Sequence, residues 1–257
     1  MKDKICVVLL TNKGYFGKML DTLYNVIKHG YKDDICIVIG DDLLGADELE
    51  HELIVTNNNN ITVKYFTDIN FTSEFYTKFI SLNRDEHWRQ KTFQYHKLHL
   101  FNSFFKQWDF IFYIDSGTSV YNSIDPIINA RKKNKLLAHS DAYPSYEWKL
   151  ATQFIQDDAL FNIIAEKYNL NIDYPQTTIM LYDTSIIEDS TFNNLVNLTE
   201  ECRISKTNDQ GIIALYFASI KQLWEQIQLG DENWWYYDYA LRPEKRNKPH
   251  ILLKIPL

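Results

Sequence analysis

The chain has 257 residues, 15% of them aromatic, and a net charge of −7 at neutral pH. That length allows one domain to bury about three quarters of the unfolded surface, while the acidity excludes nucleic acid and anionic membranes, which demand clustered Lys and Arg. The one basic cluster, Arg131-Lys132-Lys133-Asn134-Lys135, is short and reads as a solvated helix end, and Cys6, Cys36 and Cys202 lack the spacing of a zinc site or a disulfide framework.

In chain order, Ile5 to Leu10 is a continuous apolar run, the mark of a strand buried on both faces. Its length is too short for a signal peptide, and no later run reaches a membrane span, so the expectation is an intracellular, soluble (cytoplasmic) protein. After the Thr11–Tyr15 loop, Phe16, Met19, Leu20, Leu23 and Ile27 recur at helical spacing, and His29-Gly30 closes that helix. Ile35 to Ile39 is a second buried strand, which makes a parallel βαβ opening with a right-handed crossover. Ile61 to Phe66 follows as a strand, and residues 74–108 read as largely helical, with Leu100, Phe101, Phe104 and Trp108 on one face. Then come the strand Phe110 to Ile114, the short strand Leu136 to Ala138, a helical stretch containing Asp157-Asp158, the strand Thr178 to Tyr182, a helix over Asp209 to Phe217, and an aromatic, then apolar tail. No repeat or linker breaks this order. One α/β domain over 1–257 is the economical reading, with a nucleotide-binding part near 1–120 and an acceptor side near 121–257.

Phe110-Ile-Phe-Tyr-Ile114 ends on Asp115-Ser116-Gly117-Thr118-Ser119. In open α/β sheets ligands bind beyond the carboxyl ends of the strands, and an acid there can hold a metal or a phosphate. The plain alternative is a surface acid capping the next turn. Asn208-Asp209-Gln210-Gly211 opens its helix as an N-cap sequence.

Several of these segments, taken together, resemble sugar-nucleotide-dependent glycosyltransferases of the GT-A fold, most closely the glycogenin-like family 8 group. The segments are Tyr95-His-Lys97-Leu-His-Leu100, Asp115-Ser-Gly117, Gln176-Thr-Thr-Ile-Met-Leu-Tyr182, Asp209-Gln210 and His250-Ile-Leu-Leu-Lys254. The resemblance implies a Rossmann-like mixed sheet flanked by helices in a single domain. It also implies a nucleotide-sugar donor, in this reading a UDP-sugar, and a glycan or other hydroxyl acceptor. Thr11, Asn12 and Tyr15 look like the nucleobase pocket, and Lys97 like the lysine that contacts the donor's phosphates. Asp115-Ser116-Gly117 occupies the place of the Asp-x-Asp motif, which holds Mn²⁺ or Mg²⁺ against the diphosphate. Gly117 stands where the second acid belongs, so Asp115 is left to bind a metal alone, through water, or to bind ribose instead. His250 resembles a third metal ligand, although Leu253 replaces the family's Gly and Lys254 falls early. Asp209 and Gln210 match the pair that faces sugar and acceptor, and Gln176-Thr177-Thr178 replaces Asn-Ser-Gly.

Departure of UDP leaves negative charge on the diphosphate, which a metal or Lys97 would stabilise. If the reaction inverts the anomeric centre, an acid must take the acceptor's proton; Asp209 is the first choice and Asp141, after the strand at 136–138, the second. If it retains configuration, as family 8 does, the leaving phosphate can accept that proton. Two other classes compete. Asp115-Ser-Gly-Thr-Ser is similar to the strand-Asp-x-Asp-Gly-Thr opening of haloacid-dehalogenase phosphatases, but it sits mid-chain and lacks the second Asp. A degenerate transferase would bind a sugar nucleotide or glycan without turnover. The glycosyltransferase reading requires Lys97 and Asp115 to meet beside a cavity next to the Thr11 loop.

Overall fold

The computed structural model describes residues 3–45, 60–83, 91–239 and 247–254. Strand β1 (Ile5–Thr11) is buried along its whole length. Strand geometry sends alternate side chains to opposite faces, so Cys6, Val8 and Leu10 enter one core cluster while Ile5, Val7 and Leu9 enter another. Helix α1 (Phe16–Lys28) covers the second face with Met19, Leu23 and Val26, and the chain leaves it through Gly30 at φ +94°, a left-handed conformation suited to glycine. Strand β2 (Asp34–Ile39) then pairs parallel with β1, as the βαβ opening requires, and β3 (Ile61–Tyr65) pairs parallel with β2.

The stretch expected to be largely helical divides. Helix α2 (Ser73–Leu82), capped by the Thr72 hydroxyl on the Phe75 amide, is followed among the described residues by 3₁₀ turns at Phe93–Phe101 and Ser103–Gln107. The cause lies in burial. Tyr95 through Phe101 are buried on every side, so no single apolar stripe directs an α-helix, and Asn102, extended at ψ 150°, breaks the run and caps the next turn.

Strands β4 (Phe110–Ile114), β5 (Thr118–Val120), β6 (Leu136–Ser140), β7 (Pro175–Asp183), β8 (Trp224–Gln226), β9 (Trp235–Tyr239) and β10 (His250–Lys254) complete the sheets. Between them lie α3 (Asp125–Asn129), α4 (Ala159–Lys167), α5 (Thr191–Glu201) and α6 (Asp209–Ala214), the last running on as a π-helical turn over Leu215–Ile220. Asp158 precedes α4 as its N-cap, accepting from the Leu160 amide, so the acidic pair 157–158 lies outside a helix.

Among the described residues the main sheet has seven strands in the order β3-β2-β1-β4-β7-β6-β8. β4 is parallel to β1, while β7 runs antiparallel to both β4 and β6. This is a mixed sheet with both faces covered. After β1 the chain steps to β2 and β3 on one side and then returns to place β4 on the other. The carboxyl ends of β1 and β4 therefore flank the point where strand order reverses, the place where open α/β sheets bind ligands. A small second sheet, β5-β10-β9, sits beside that point. Its register sets Lys254 opposite Thr118, two residues beyond Ser116. Among the described residues no helix is long and apolar enough to cross a membrane.

Candidate active site

A cavity of about 620 Å³ opens at the carboxyl ends of β1 and β4, within the range of small-molecule sites. Its floor is the end of β4. The Asp115 amide donates to the Thr178 carbonyl of β7 at 2.8 Å, and the Ser116 hydroxyl donates to the Leu10 carbonyl of β1 at 2.6 Å. Three neighbouring strands thus fix the turn that carries Asp115.

Lys97 arrives from the 3₁₀ segment and points into this floor. Its ammonium lies 3.0 Å from Asp209 Oδ2 and 3.3 Å from Asp115 Oδ1, with side-chain exposures of 9% for Lys97, 5% for Asp209 and 26% for Asp115. Thr177 of β7 ties the group together, accepting from Lys97 at 3.3 Å and donating to Asp209 at 3.2 Å. Tyr113 donates its phenol hydrogen to Asp115 Oδ1 at 2.5 Å. Burial acts to lower the Lys97 ammonium, but the two carboxylates reverse that and hold it above its ordinary 10.5. Burial raises the Asp209 carboxyl above the usual carboxylate range against the pull of Lys97. Burial, reinforced by Asp115, keeps the Tyr113 phenol protonated far above its usual value.

Asp209 owes its position to a strained turn. Asn208, just before α6, has φ +53°, a conformation that costs a non-glycine residue about 1–3 kcal/mol. Its carbonyl accepts from Ser205 at 2.8 Å and its amide group donates to Gln94 at 2.6 Å. Asn208 therefore makes no N-cap bond to the helix; it is held where it turns Asp209 into the cavity. Gly211 permits this packing, since a Cβ there would stand 2.4 Å from the Ser205 hydroxyl oxygen.

The other expected residues divide. Tyr15 and Gln210 line the cavity. Thr11 and Asn12 do not: the Thr11 hydroxyl donates to the Asn12 carbonyl, and Asn12 Oδ1 accepts from the Tyr15 amide, so both shape the loop that presents Tyr15. Asp141 stands behind Gln210, accepting from its amide at 3.3 Å and from Tyr174 at 3.1 Å. His250 is at the far end of β10, 3.1 Å from Asp238. It lies four residues from Lys254, roughly 13 Å at the rise of a strand, and does not line the cavity.

The ligand set expected for a divalent ion is not assembled. Among the described residues no group of three or more His, Cys, Asp or Glu is placed to hold a metal. Asp115 Oδ1 is already taken by an ammonium and a phenol. Gly117, at φ +79°, faces the Lys18 side chain, which a Cβ at 117 would meet at 3.4 Å. The residues present do not fit the ion that the Asp-x-Asp resemblance implies.

Sequence reasoning did not single out Tyr113, Thr177, Lys18 or Lys254 as site residues. Lys254 was visible only as a lysine out of place in a motif. Its register against β5 brings it to the Ser116 carbonyl, to which it donates at 2.8 Å. Burial lowers its pKa against the pull of Asp115, and Lys97 and Lys18 lower it further.

No protein-family model matches the chain, and no curated protein matches it. Solved structures do. The chain is similar to the galactosyltransferase LgtC, crystallised with donor and acceptor sugar analogues, with TM-score 0.59 and 13% identity over 90% of this chain and 75% of that one. It is similar to the mannosyltransferase Ktr4p from S. cerevisiae, with TM-score 0.57 and 10% identity over 88% and 68%. A third match is the bifunctional glycosyltransferase WbbM, with TM-score 0.55 and 14% identity over 93% of this chain but only 40% of WbbM. The fold is that of the GT-A glycosyltransferases. At these identities the likeness is one of fold, and activity must be argued from the site.

Proposed function

We propose that the chain is a glycosyltransferase that moves a sugar from a nucleotide-sugar donor, a UDP-sugar in the first instance, to a hydroxyl of a glycan acceptor. The observation that carries this reading is the meeting of Lys97, Asp115 and Asp209 in one cavity at the switch point of a GT-A sheet. Tyr15 supplies an aromatic face at the rim, suited to stacking on a base. Gln210 lines the cavity with its side-chain oxygen accepting from the Thr177 amide and its NH2 group donating to Asp141 and Gln153.

In the transfer, the bond between the anomeric carbon and the phosphate oxygen breaks, and its electron pair leaves with the diphosphate. The acceptor oxygen forms the new bond to the same carbon and gives up its proton. Asp209 faces this centre with a pKa raised by burial, which suits a carboxylate that stabilises the positive sugar and takes that proton. Lys97 keeps Asp209 and Asp115 in place. Asp141 acts through Gln210 as a positioning residue.

The test is release of UDP from a panel of UDP-sugars in the presence of glycan acceptors. Asp115→Ala should abolish turnover in a folded protein, and Asp209→Asn should lower it by about 10²-fold or more. Wild-type turnover in either variant would remove the assignment, and release of phosphate from a generic ester would replace it with a phosphatase. Nucleotide binding without turnover for any sugar would leave a binding protein.

A further inference from the structure

Lys18 and Lys254 stand on either side of the Asp115 turn, and the function assigned to the site gives them work beside Lys97. Lys97 is balanced by Asp115 and Asp209. Lys18 and Lys254 also line the cavity, and among the described residues neither has a carboxylate within ion-pair distance. Lys18 comes from α1, and its side chain lies beside Gly117, which stands in the place of the second acid of the Asp-x-Asp motif. Its ammonium rests 5.2 Å from the centre of the Tyr15 ring. Lys254 comes from β10 and is anchored on the Ser116 carbonyl at 2.8 Å. Asp21, one turn after Lys18, borders the same cavity.

We propose that the ammonium groups of Lys18 and Lys254 hold the donor's diphosphate in place of a divalent cation. The inference rests on the donor-site reading above. A bridging Mn²⁺ or Mg²⁺ brings two positive charges to the two phosphates and needs hard oxygen ligands from the protein. Two ammonium groups bring the same charge, each with three N–H donors, and need no such ligands. The substitution is consistent at every position the ion would use. Gly117 removes one carboxylate and lies beside the Lys18 side chain, Asp115 Oδ1 turns to an ammonium and a phenol, and His250 is spent on Asp238. Stabilisation of the departing diphosphate then comes from fixed charges that require no loading.

Calorimetric titration of the full chain with UDP and GDP, each against its nucleoside, separates the outcomes. With EDTA present, one diphosphate should bind more tightly than its nucleoside, and Mn²⁺ should change its affinity less than twofold. Lys18→Gln and Lys254→Gln should each weaken the diphosphate about tenfold or more and leave the nucleoside unchanged. Tenfold or greater tightening by Mn²⁺ would overturn the proposal while sparing the donor site. Equal losses for diphosphate and nucleoside would also overturn it, because they mark a structural role. No binding of either diphosphate in either buffer would remove the donor site and the proposal together. The comparison with and without Mn²⁺ uses the unaltered protein, so it stands even where a variant fails to fold.

Discussion

Replacing Lys97 by Met keeps most of the side chain's volume and removes only the charge, so it isolates what the ammonium does. In the intact protein it lies 3.0 and 3.3 Å from two carboxylates in a place where it is almost fully buried. At an effective dielectric of about 20 each contact carries about 5 kcal/mol of attraction, and most of that is offset by the cost of taking three charges out of water. What remains after the substitution is two facing acids with no cation between them, a state that costs about 3–5 kcal/mol. For a chain of this size each kcal/mol moves the melting temperature by about 2–4 °C, giving a fall of about 6–20 °C. The sign with pH is specific. Lys97 titrates above 10.5 when folded, so its contribution is complete below that value and is lost only as the pH rises through the folded pKa. In Lys97→Met the penalty instead comes from ionised acids, and burial already raises the Asp209 carboxyl, so the deficit should shrink as the buffer is acidified from pH 7 to 5. Adding Asp209→Asn to Lys97→Met should recover part of the stability and none of the turnover. The measurement is thermal and urea denaturation of the single and double variants at both pH values. A loss below about 1 kcal/mol at pH 7, or a deficit that grows on acidification, would show that the three side chains are not coupled as drawn.

Other perturbations probe separate parts of the argument. Asp209→Asn should lower turnover by about 10²–10⁴ with nucleotide affinity within a few-fold of wild type, as initial rates and titration would reveal; a rate within tenfold would assign the proton to another group. Burial holds His96 down to about 4 and His99 to about 3. Below pH 6.5 the unfolded chain therefore takes up protons that the folded one refuses, and each histidine should cost about 2 kcal/mol of stability between pH 6.5 and 5. A urea midpoint that stays flat over that window would contradict their burial as neutral rings. Gly211→Ala forces a methyl against the Ser205 hydroxyl at 2.4 Å and should cost about 1–3 kcal/mol; Ser205→Ala in the same chain should recover part of it, and no recovery would exclude that clash as the cause.

The parts of this fold that were legible in the sequence are those fixed by local burial. Ile5–Leu10 and Phe110–Ile114 are apolar on both faces of the strand, and both lie in the centre of the main sheet. The helix after the first strand shows in the spacing of Met19 and Leu23. The antiparallel sense of β7 and the two-sheet arrangement were not legible, because pairing joins residues far apart in the chain and leaves no local period. Residues 93–107 misled for the opposite reason: enclosed aromatics on every side carry no stripe, and 3₁₀ turns hide inside an α-like composition. In the site, Asp115 and Asp209 could be picked out because each stands at a strand end or helix start, and Lys97 because its segment precedes the Asp115 strand. Lys18 could not, since a lysine on an amphipathic helix looks solvated until the fold sets its side chain beside Gly117 at the cavity. His250 drew notice by residue type, whereas β10 brings Lys254, four residues on, to the cavity.

On the proposal above, Asp115 has a different use from that of a metal ligand, and its neighbours fit that use. A carboxylate meant for an ion must keep its oxygens free or share them with water. Asp115 Oδ1 instead meets Tyr113 and Lys97, and Lys97 in turn meets Asp209 and Thr177, which itself donates to Asp209. Each of these buried groups answers another, and a network satisfied in that way is rigid, whereas one missing member leaves a costly unpaired charge. Such rigidity benefits a reaction that develops charge at both ends of a breaking bond, because dipoles and charges already in position need no reorganisation when the bond breaks. On the proposed reading the two ends are served by different groups: the acid assigned to the sugar is set by Lys97 from the 3₁₀ segment and Thr177 of β7, and the cations assigned to the diphosphate are set by α1 and the small sheet. Loss of the small sheet's grip on Ser116, as in Lys254→Gln, should therefore weaken the diphosphate end while the Lys97 network keeps its geometry.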